Sequence, residues 1–259
     1  MDTKNTVITN NDISLLEEVI ARYGRIVTFV QLYEILKLKH SLAQARNRVA
    51  RLAKMGWLIR LKKGLYLVIT DIASLSSEDV SLFSISQAFN KNSYISFENA
   101  LAYHGMFDQM LSTVGAVTFA RARSYKVKST EFRFYKIKKS LYFGFSEERS
   151  DIGIVNIAGK EKALLDMLYF RSNAYYAGLV WEKLQEYKKT IDFTLLKKHA
   201  EKFSDDVIRQ IGFFLDRLGI GTDDLSRLIR GKRSYSRMTK GAKVFDAKWR
   251  LFFENSIIG

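Results

Sequence analysis

Apolar residues recur at three- and four-residue spacing over residues 41–55, which predicts an amphipathic α-helix. Its apolar face comprises Leu42, Ala45, Val49 and Leu52. The opposite face carries Gln44, Asn47, Arg51 and Lys54, with Arg48 at its edge. Ser41 followed by Gln44 fits a capping box at the start of the helix, and Gly56 suits the left-handed residue that ends it. The pattern therefore predicts a helix with one apolar face and one polar, basic face.

Two shorter helical patterns precede this helix, and a hairpin pattern follows it. Apolar residues recur at helical spacing over residues 12–23 and again over residues 28–36. The connection over residues 37–40 is short enough for a helix-turn-helix corner. Residues 58–68 alternate as two short strands that turn at Gly64. Three helices followed by a hairpin predict a winged helix-turn-helix.

The rest of the chain mixes strand and helix patterns. Period-two alternation predicts strands over residues 114–120, 132–137, 141–145 and 152–157. Helical spacing is found over residues 80–89, 96–105, 159–170, 179–187, 193–203, 205–218 and 222–229. The expected fold class is α+β: an N-terminal winged helix-turn-helix, then a larger domain with a mostly antiparallel sheet and a helical C-terminal part.

A serine-rich stretch divides the chain into two expected domains. Residues 1–70 form the winged helix-turn-helix domain, residues 71–78 the linker, and residues 79–259 the larger domain. A chain of 259 residues has room for two such domains, and 47% hydrophobic residues suffice for two cores.

Positive charge is concentrated near the N-terminus. Residues 35–70 hold nine Lys or Arg and no acid, whereas residues 1–34 hold three basic and five acidic residues. A basic amphipathic helix is also typical of a solvated face, and small three-helix domains with a hairpin also bind proteins. A solvated surface would mix signs, however, and a field of one sign suits neutralisation of phosphates. The distribution favours double-stranded DNA as the partner.

The side chains of this region divide by chemistry. Asn47 and Gln44 suit adenine edges, and Arg48 or Arg51 can contact guanine with two hydrogen bonds. Gln44 is the weakest of these readers because it also serves the predicted cap. The expected phosphate contacts are Lys54, Arg60, Lys62 and Lys63. His40 is interpreted as a turn residue.

Two further basic clusters lie downstream. The first includes Arg121, Arg123, Lys126, Lys128 and Arg133. It either extends the nucleic-acid surface or meets an acidic partner, or its charges protect solvent-exposed edge strands from aggregation. The second, residues 227–243, holds seven basic residues and no acid, and indicates a mobile or nucleic-acid-facing tail segment.

Several classes of function are disfavoured. The chain has no Cys, which removes disulfides, Cys-ligated zinc and thiol catalysis. Three scattered His and the lack of a phosphate-binding loop, a dinucleotide fingerprint or a zinc-protease motif argue against an enzyme, a metal site or a cofactor. Neither a signal-peptide core nor a long apolar run is present, so no membrane contact and a cytoplasmic location are expected.

Two segments outside the basic region resemble a known family. Residues 94–106, YISFENALAYHGM, and residues 157–169, IAGKEKALLDMLY, are similar to recurring motifs of AbiEi-type antitoxins and transcriptional regulators. The order also matches: winged helix, first motif, strands, second motif. The motifs are rich in apolar residues and identify a family without marking an active site.

The resemblance implies an antitoxin of a type IV toxin–antitoxin, or abortive-infection, system. Such proteins repress their own promoter at inverted repeats, and their C-terminal domain neutralises a nucleotidyltransferase-like toxin, with or without a stable complex. One alternative is a winged-helix regulator whose C-terminal domain senses a ligand or protein and has no toxin. A DNA-processing enzyme is the other. A toxin gene beside this one would separate the first from the second, and metal-dependent DNA cleavage would support the third.

Overall fold

The computed structural model describes residues 8–70, 81–150 and 152–258. We call residues 8–70 the N-terminal unit, and the described residues from 81 onwards the larger unit. The predicted linker, residues 71–78, lies outside the described residues.

Three helices and a three-stranded antiparallel sheet form the N-terminal unit. In chain order they are α1 (Asn10–Tyr23), β1 (Ile26–Thr28), α2 (Phe29–Leu36), α3 (Leu42–Met55), β2 (Leu58–Lys62) and β3 (Leu65–Val68). Thr28 and Ser41 begin α2 and α3 with capping boxes, and Gly56 ends α3 at a φ of 93°. The predicted boundaries of the basic helix are thus confirmed. Strand β1, which pairs with β3 at the edge of the predicted hairpin, was not predicted.

A six-stranded mixed sheet is the centre of the larger unit. Its strands are β4 (Ser93–Ile95), β5 (Thr113–Thr118), β6 (Arg123–Val127), β7 (Thr130–Lys136), β8 (Phe145–Ser150) and β9 (Gly153–Ala158), in the spatial order β6-β7-β5-β4-β9-β8. The β4–β5, β6–β7 and β8–β9 pairs are antiparallel, and the β4–β9 and β5–β7 pairs are parallel. Three of the five pairings are therefore antiparallel.

Helices cover this sheet and continue to the small C-terminal sheet. They are α4 (Leu82–Phe89), α5 (Phe97–Tyr103), α6 (Lys160–Phe170), α7 (Ala174–Glu186), α8 (Phe193–Ala200), α9 (Asp205–Arg217) and α10 (Asp223–Ile229). The small sheet consists of β10 (Ser236–Arg237), β11 (Val244–Asp246) and β12 (Leu251–Phe253), in the order β10-β12-β11. The described part of the chain is a mixed α+β structure with N-terminal helices and a larger sheet-containing unit.

Two sequence predictions for the larger unit need correction, one wholly and one in part. The strand expected over residues 141–145 is a 3₁₀ turn at Lys139–Leu141 followed by Gly144, whose φ of 76° interrupts an extended chain. The segment 227–243, expected as a mobile or nucleic-acid-facing tail segment, contains the end of α10 and strand β10 and so belongs to the folded unit, while its contact with nucleic acid stays a prediction. Strand β6 was missed because three of its five residues are polar or charged and exposed, which weakens the alternation.

The hairpin β2–β3 belongs to two apolar cores. Leu58 and Val68 pack into the core of the N-terminal unit with residues of α1, α2 and α3. Leu61, Leu65, Leu67 and Ile69 belong instead to the core of the larger unit. The hairpin therefore joins the two units through buried side chains.

Helix α6 passes through the middle of the larger unit, packed against α5, α7, α8 and α9. It carries a buried polar network. The Lys162 ammonium bonds to the Asp166 carboxylate and donates to the Tyr94 hydroxyl at 2.7 Å. Asp166 also accepts from Ser96 Oγ at 2.8 Å and from Tyr94 at 3.1 Å. These four residues come from the two motifs at 94–106 and 157–169, and their mutual bonds satisfy groups that are costly to bury alone.

Candidate nucleic-acid interface

Helix α3 buries one face and leaves the other in solvent. Ala45, Val49 and Leu52 are buried, as predicted, because they face α1, α2 and the sheet. Leu42, placed on the same face by its spacing, lies in the first turn and is 40% exposed. Asn47 and Lys54 are exposed on the polar face.

Gln44 serves the helix cap, as its spacing from Ser41 suggests. Its side-chain oxygen Oε1 accepts from the Ser41 backbone N–H at 2.8 Å, and the Ser41 hydroxyl accepts from the Gln44 N–H at 3.3 Å. The amide oxygen is therefore engaged within the protein. The exposed amide nitrogen keeps its donors for other contacts.

Arg48 is held by contacts within the N-terminal unit. Its Nε donates to Asp12 Oδ1 at 2.8 Å, and its Nη2 donates to the Asn11 carbonyl at 2.7 Å. Its Nη1 lies 3.0 Å from His40 Nε2, which must accept because guanidinium nitrogens only donate. The Arg48 side chain is only 17% exposed.

Arg51 shares the same acidic partner but remains open to solvent. Its Nη2 donates to Asp12 Oδ2 at 2.6 Å, and its side chain is 52% exposed. Burial raises the pKa of the Asp12 carboxyl, but hydrogen bonds from Thr9 and Arg48 and the charges of Arg48 and Arg51 outweigh it, so this pKa lies below its ordinary value of 3.8. Asp12 thus stays ionised and fixes both guanidinium groups at the start of α1.

The three cations of the hairpin, Arg60, Lys62 and Lys63, lie in two different environments. Arg60 and Lys63 are exposed. Lys62 points toward the larger unit, where its ammonium donates to the Phe89 carbonyl at 3.0 Å and lies 5.7 Å from the ring centroid of Tyr125. The Phe89 and Tyr125 rings are stacked with centroids 4.3 Å apart. Lys62 is therefore engaged in joining the units.

The second basic cluster lies beside the hairpin, because β2 contacts β6. Its exposed members are Arg121, Arg123, Lys126, Lys128 and Arg133. Arg133 forms an ion pair with Glu131 at 2.9 Å, and Arg123 and Lys126 lie on β6 at the sheet edge. All three interpretations of this cluster, a longer nucleic-acid surface, a site for an acidic partner and a protected edge strand, fit that position.

The sequence reasoning missed Asp12 and the contact of His40 with Arg48. The signal for Asp12 was present as an acid in the first turn of α1, yet it is 36 residues from Arg48 and only the packing of α1 on α3 brings them together. His40 lies in the predicted corner but also contacts Arg48. A buried carboxylate opposite two arginines of α3 is visible only in three dimensions.

The described residues bear on two further kinds of site, a metal centre and a membrane span. Within them, no group of three or more His, Asp or Glu side chains is arranged to hold a metal ion. Among the helices of those same ranges, none combines the length and the hydrophobicity that a membrane crossing needs.

Comparison with known proteins supports the resemblance in one part of the chain. Residues 14–69, which run from within α1 to just past β3, match the family model described as transcriptional regulator, AbiEi antitoxin. The resemblance predicted from the sequence is thereby confirmed for this span, and the match supports a protein of this general kind. The two motifs at 94–106 and 157–169 lie outside the matched residues.

A solved structure extends the comparison to the whole fold. The crystal structure of the RV2827C protein from Mycobacterium tuberculosis is similar with a TM-score of 0.62 and 13% sequence identity, and covers 96% of this chain and 92% of that one. At this identity the likeness shows a shared fold alone. A search of curated proteins finds no match.

Proposed function

We propose that this chain is a DNA-binding transcriptional autorepressor and the antitoxin of a type IV toxin–antitoxin system, with residues 1–70 as a winged helix-turn-helix domain. One observation carries the proposal: the residues that match the AbiEi regulator family include α3, whose polar, basic face is exposed. A helix of this kind fits the major groove of B-DNA, and a cationic hairpin beside it reaches the adjacent backbone.

In this proposal Asn47 and Arg51 read bases. Asn47 pairs its amide with an adenine edge, and Arg51 contacts guanine while Asp12 limits its rotamers. Gln44 contributes through its amide nitrogen, since its oxygen is used in the cap. Holding a guanidinium in place before binding reduces the entropy lost on contact.

In this proposal, some of the remaining cations contact DNA phosphates and the others bond within the protein. Lys54, Arg60 and Lys63 contact phosphates, because all three are exposed on α3 and the hairpin. Arg48 and Lys62 hold α3 and the hairpin in place, because all three guanidinium nitrogens of Arg48 bond within the protein and the Lys62 ammonium donates to the Phe89 carbonyl.

The test is a promoter footprint with the full chain, followed by gel-shift titration of Arg51→Ala. The footprint is expected over an inverted repeat upstream of the gene. Arg51→Ala is expected to weaken promoter binding by about 1 to 3 kcal/mol and to relax sequence preference at one base pair, because a bidentate base contact is lost.

The matched control is Arg22→Ala, which removes an arginine from the exposed side of α1, where it pairs with Glu18. Its promoter affinity should equal that of the unaltered chain. If Arg51→Ala binds as tightly as Arg22→Ala, Arg51 does not read DNA. If no protected site appears in the promoter, autorepression is wrong.

The antitoxin role is tested separately. We expect a neighbouring nucleotidyltransferase-like gene whose expression stops growth, and co-expression of this chain should restore growth whether or not a stable complex can be isolated. Growth arrest that persists during co-expression would contradict the antitoxin role while leaving the repressor role intact.

One observation favours a second candidate, a winged-helix regulator that senses a ligand and has no toxin. An open cleft of about 970 Å³ lies between the units, lined on one side by Thr28, Gln31 and Lys63 and on the other by Lys91 and Asn156. A ligand bound there would contact both units. Absence of any toxic neighbour, together with promoter release by a small metabolite, would favour this candidate.

A further inference from the structure

The small C-terminal sheet buries one face and exposes the other. Ser236, Leu251 and Phe253 are buried, with β10 and β12 packed against α9. Side chains alternate along a strand, so the neighbouring Arg237 and Phe252 lie on the opposite, outer face. The register places Arg237 and Phe245 on either side of Phe252 across the sheet.

Three aromatic rings form a row on this outer face. The Tyr235 and Phe252 centroids are 5.4 Å apart, and those of Phe252 and Phe245 are 4.9 Å apart. Tyr235 is 58% exposed and Phe245 is 45% exposed. The Arg237 guanidinium lies 4.2 Å from the Phe252 centroid and completes the row. We call Tyr235, Arg237, Phe245 and Phe252 the aromatic face.

Its borders are positively charged. Exposed cations flank its strands in the sequence: Arg230, Lys232, Arg233, Lys240 and Lys243, of which Lys232 pairs with Asp205 at 2.6 Å. Residues 227–243 contain no acid. The nearest acid in sequence, Asp246, pairs in register with buried Leu251 and accepts from the Trp249 backbone N–H at 2.9 Å, which directs it to the inner side.

Residues 233–235, which precede β10, are held by hydrogen bonds and do not cover the rings. Arg250 donates from Nε to the Ser234 carbonyl at 2.9 Å and from Nη2 to the Arg233 carbonyl at 2.5 Å. Inside, Arg209 donates to the hydroxyls of Ser234 and Ser236. These bonds hold Tyr235 on the outer face of the sheet.

We propose that the aromatic face binds single-stranded nucleic acid. Exposed rings with cationic borders match the chemistry of a polymer that offers flat bases and phosphates together. A duplex hides the faces of its bases in the stack, whereas a single strand presents them to Tyr235 and Phe245. Neighbouring strands lie about 4.8 Å apart, so three strands span roughly 10 Å, room for two or three bases.

This site is separate from the proposed duplex interface, because it is built from the end of the chain and shares no residue with α3 or the hairpin. The charge of the border distinguishes nucleic acid from an uncharged ligand, and the rings distinguish it from an acidic protein. An acidic polypeptide would need the cations but gain little from a row of rings.

The test uses fluorescence anisotropy with the full chain and labelled single strands of about ten bases, one RNA and one DNA, with unlabelled duplex as competitor. Saturable binding is expected at about 0.15 M salt. Tyr235→Ala and Phe245→Ala are each expected to weaken it about five-fold or more, because a base loses its stacking partner. Binding of promoter duplex by these variants should not change.

Conservative variants separate stacking from folding. Phe245→Tyr keeps a ring and should bind like the unaltered chain, whereas Phe245→Leu keeps an apolar side chain without a ring and should bind like Phe245→Ala. Arg60→Ala with Lys63→Ala should lose duplex binding and keep single-strand binding. Tighter binding of RNA than of DNA would assign a 2′-hydroxyl contact, and equal binding would assign recognition to bases and phosphates.

Three results would overturn the proposal: no saturable single-strand binding, Phe245→Leu binding as well as Phe245→Tyr, or polyglutamate displacing the strand as effectively as an unlabelled strand does. The last result would identify a charge-driven surface for an acidic protein. None depends on whether the promoter footprint succeeds.

Discussion

Gly212 and Trp249 show how one missing side chain permits a close contact in the core. Trp249 is fully buried, and a Cβ built on Gly212 would lie 2.1 Å from the indole ring. The ring therefore rests directly on the backbone of α9. Its Nε1 donates to Asp216 at 2.7 Å on the same helix, which fixes the ring orientation.

We expect Gly212→Ala to destabilise the protein, although alanine is the better helix former. Replacing glycine by alanine within a helix normally stabilises by up to about 1 kcal/mol. Here the added methyl group would displace the indole and overpack the core, which costs about 1 to 3 kcal/mol or more. The urea midpoint of unfolding should therefore fall.

The matched control is Gly178→Ala in α7, where nothing lies within 4 Å of the added Cβ. The urea midpoint of unfolding of Gly178→Ala should stay the same or rise. Equal midpoints for the two variants would mean that Trp249 does not lie against Gly212.

At the same scale, the sequence predicted which residues of α3 are polar and basic but not what each one contacts. The helical wheel placed Arg48 at the edge of the polar face, and it is indeed partly covered. Its partner Asp12 belongs to another helix, and no local pattern pairs two residues across that separation. Spacing reports a direction around a helix axis, whereas partners depend on how helices pack.

Among the elements, the hairpin has one lysine toward solvent and one toward the larger unit. Lys63 is exposed at the turn, while Lys62 bonds to the Phe89 carbonyl. Strand alternation and a register shift between Arg60 and Lys62 account for the different directions. The sequence alone treats the two neighbours as equivalent.

We expect Lys63→Ala to flatten the dependence of log affinity for duplex DNA on log salt by about 0.9, since one phosphate contact is lost. Lys62→Ala should leave that slope unchanged and lower the urea midpoint of unfolding, because the contact between units is lost. Gel-shift titrations over a range of salt, with urea unfolding of both variants, measure this. A flatter slope for Lys62→Ala alone would place Lys62 on DNA.

Helices were easier to predict than strands for a physical reason. Half of the ten helices in the described residues begin with a side-chain cap that a local sequence signal predicts, such as the capping box at Ser41. Strands of two or three residues, such as β10 and β12, are too short to show alternation, and their pairing depends on residues distant in sequence. The sequence therefore did not predict the aromatic face, because its strands are too short to show alternation and the clearest signal nearby was the positive charge of residues 227–243.

For the whole molecule, partly buried carboxylates connect elements that are far apart in the sequence. Asp216 on α9 accepts from Lys248 at 2.8 Å and from the Trp249 indole, and Asp224 pairs with Lys197 at 2.7 Å. Burial raises the pKa of Asp216, but hydrogen bonds from Lys248, Thr222 and Trp249 outweigh it and lower this pKa below 3.8.

These carboxylates predict a loss of stability in acid. A carboxyl with a lowered pKa in the folded state contributes stability above its unfolded pKa, about 4, and this contribution is lost as the pH falls through the folded value. The urea midpoint should therefore decline as the pH falls below about 4. Asp216→Asn should start from a lower midpoint and decline less steeply.

Glu17→Gln is the control, since Glu17 is exposed on α1. Its acid profile should match that of the unaltered chain. A profile for Asp216→Asn as steep as the unaltered one would show that Asp216 does not couple stability to pH.

The shared hairpin also decides how this protein can be divided. Four leucine and isoleucine side chains of the hairpin region lie in the core of the larger unit, so a fragment cut after residue 70 would leave them facing water. Such a fragment would tend to self-associate, and its apparent affinity for a duplex would report aggregation as much as recognition. The N-terminal unit therefore cannot be separated cleanly from the larger unit, and the proposed DNA binding has to be studied in the uncut chain.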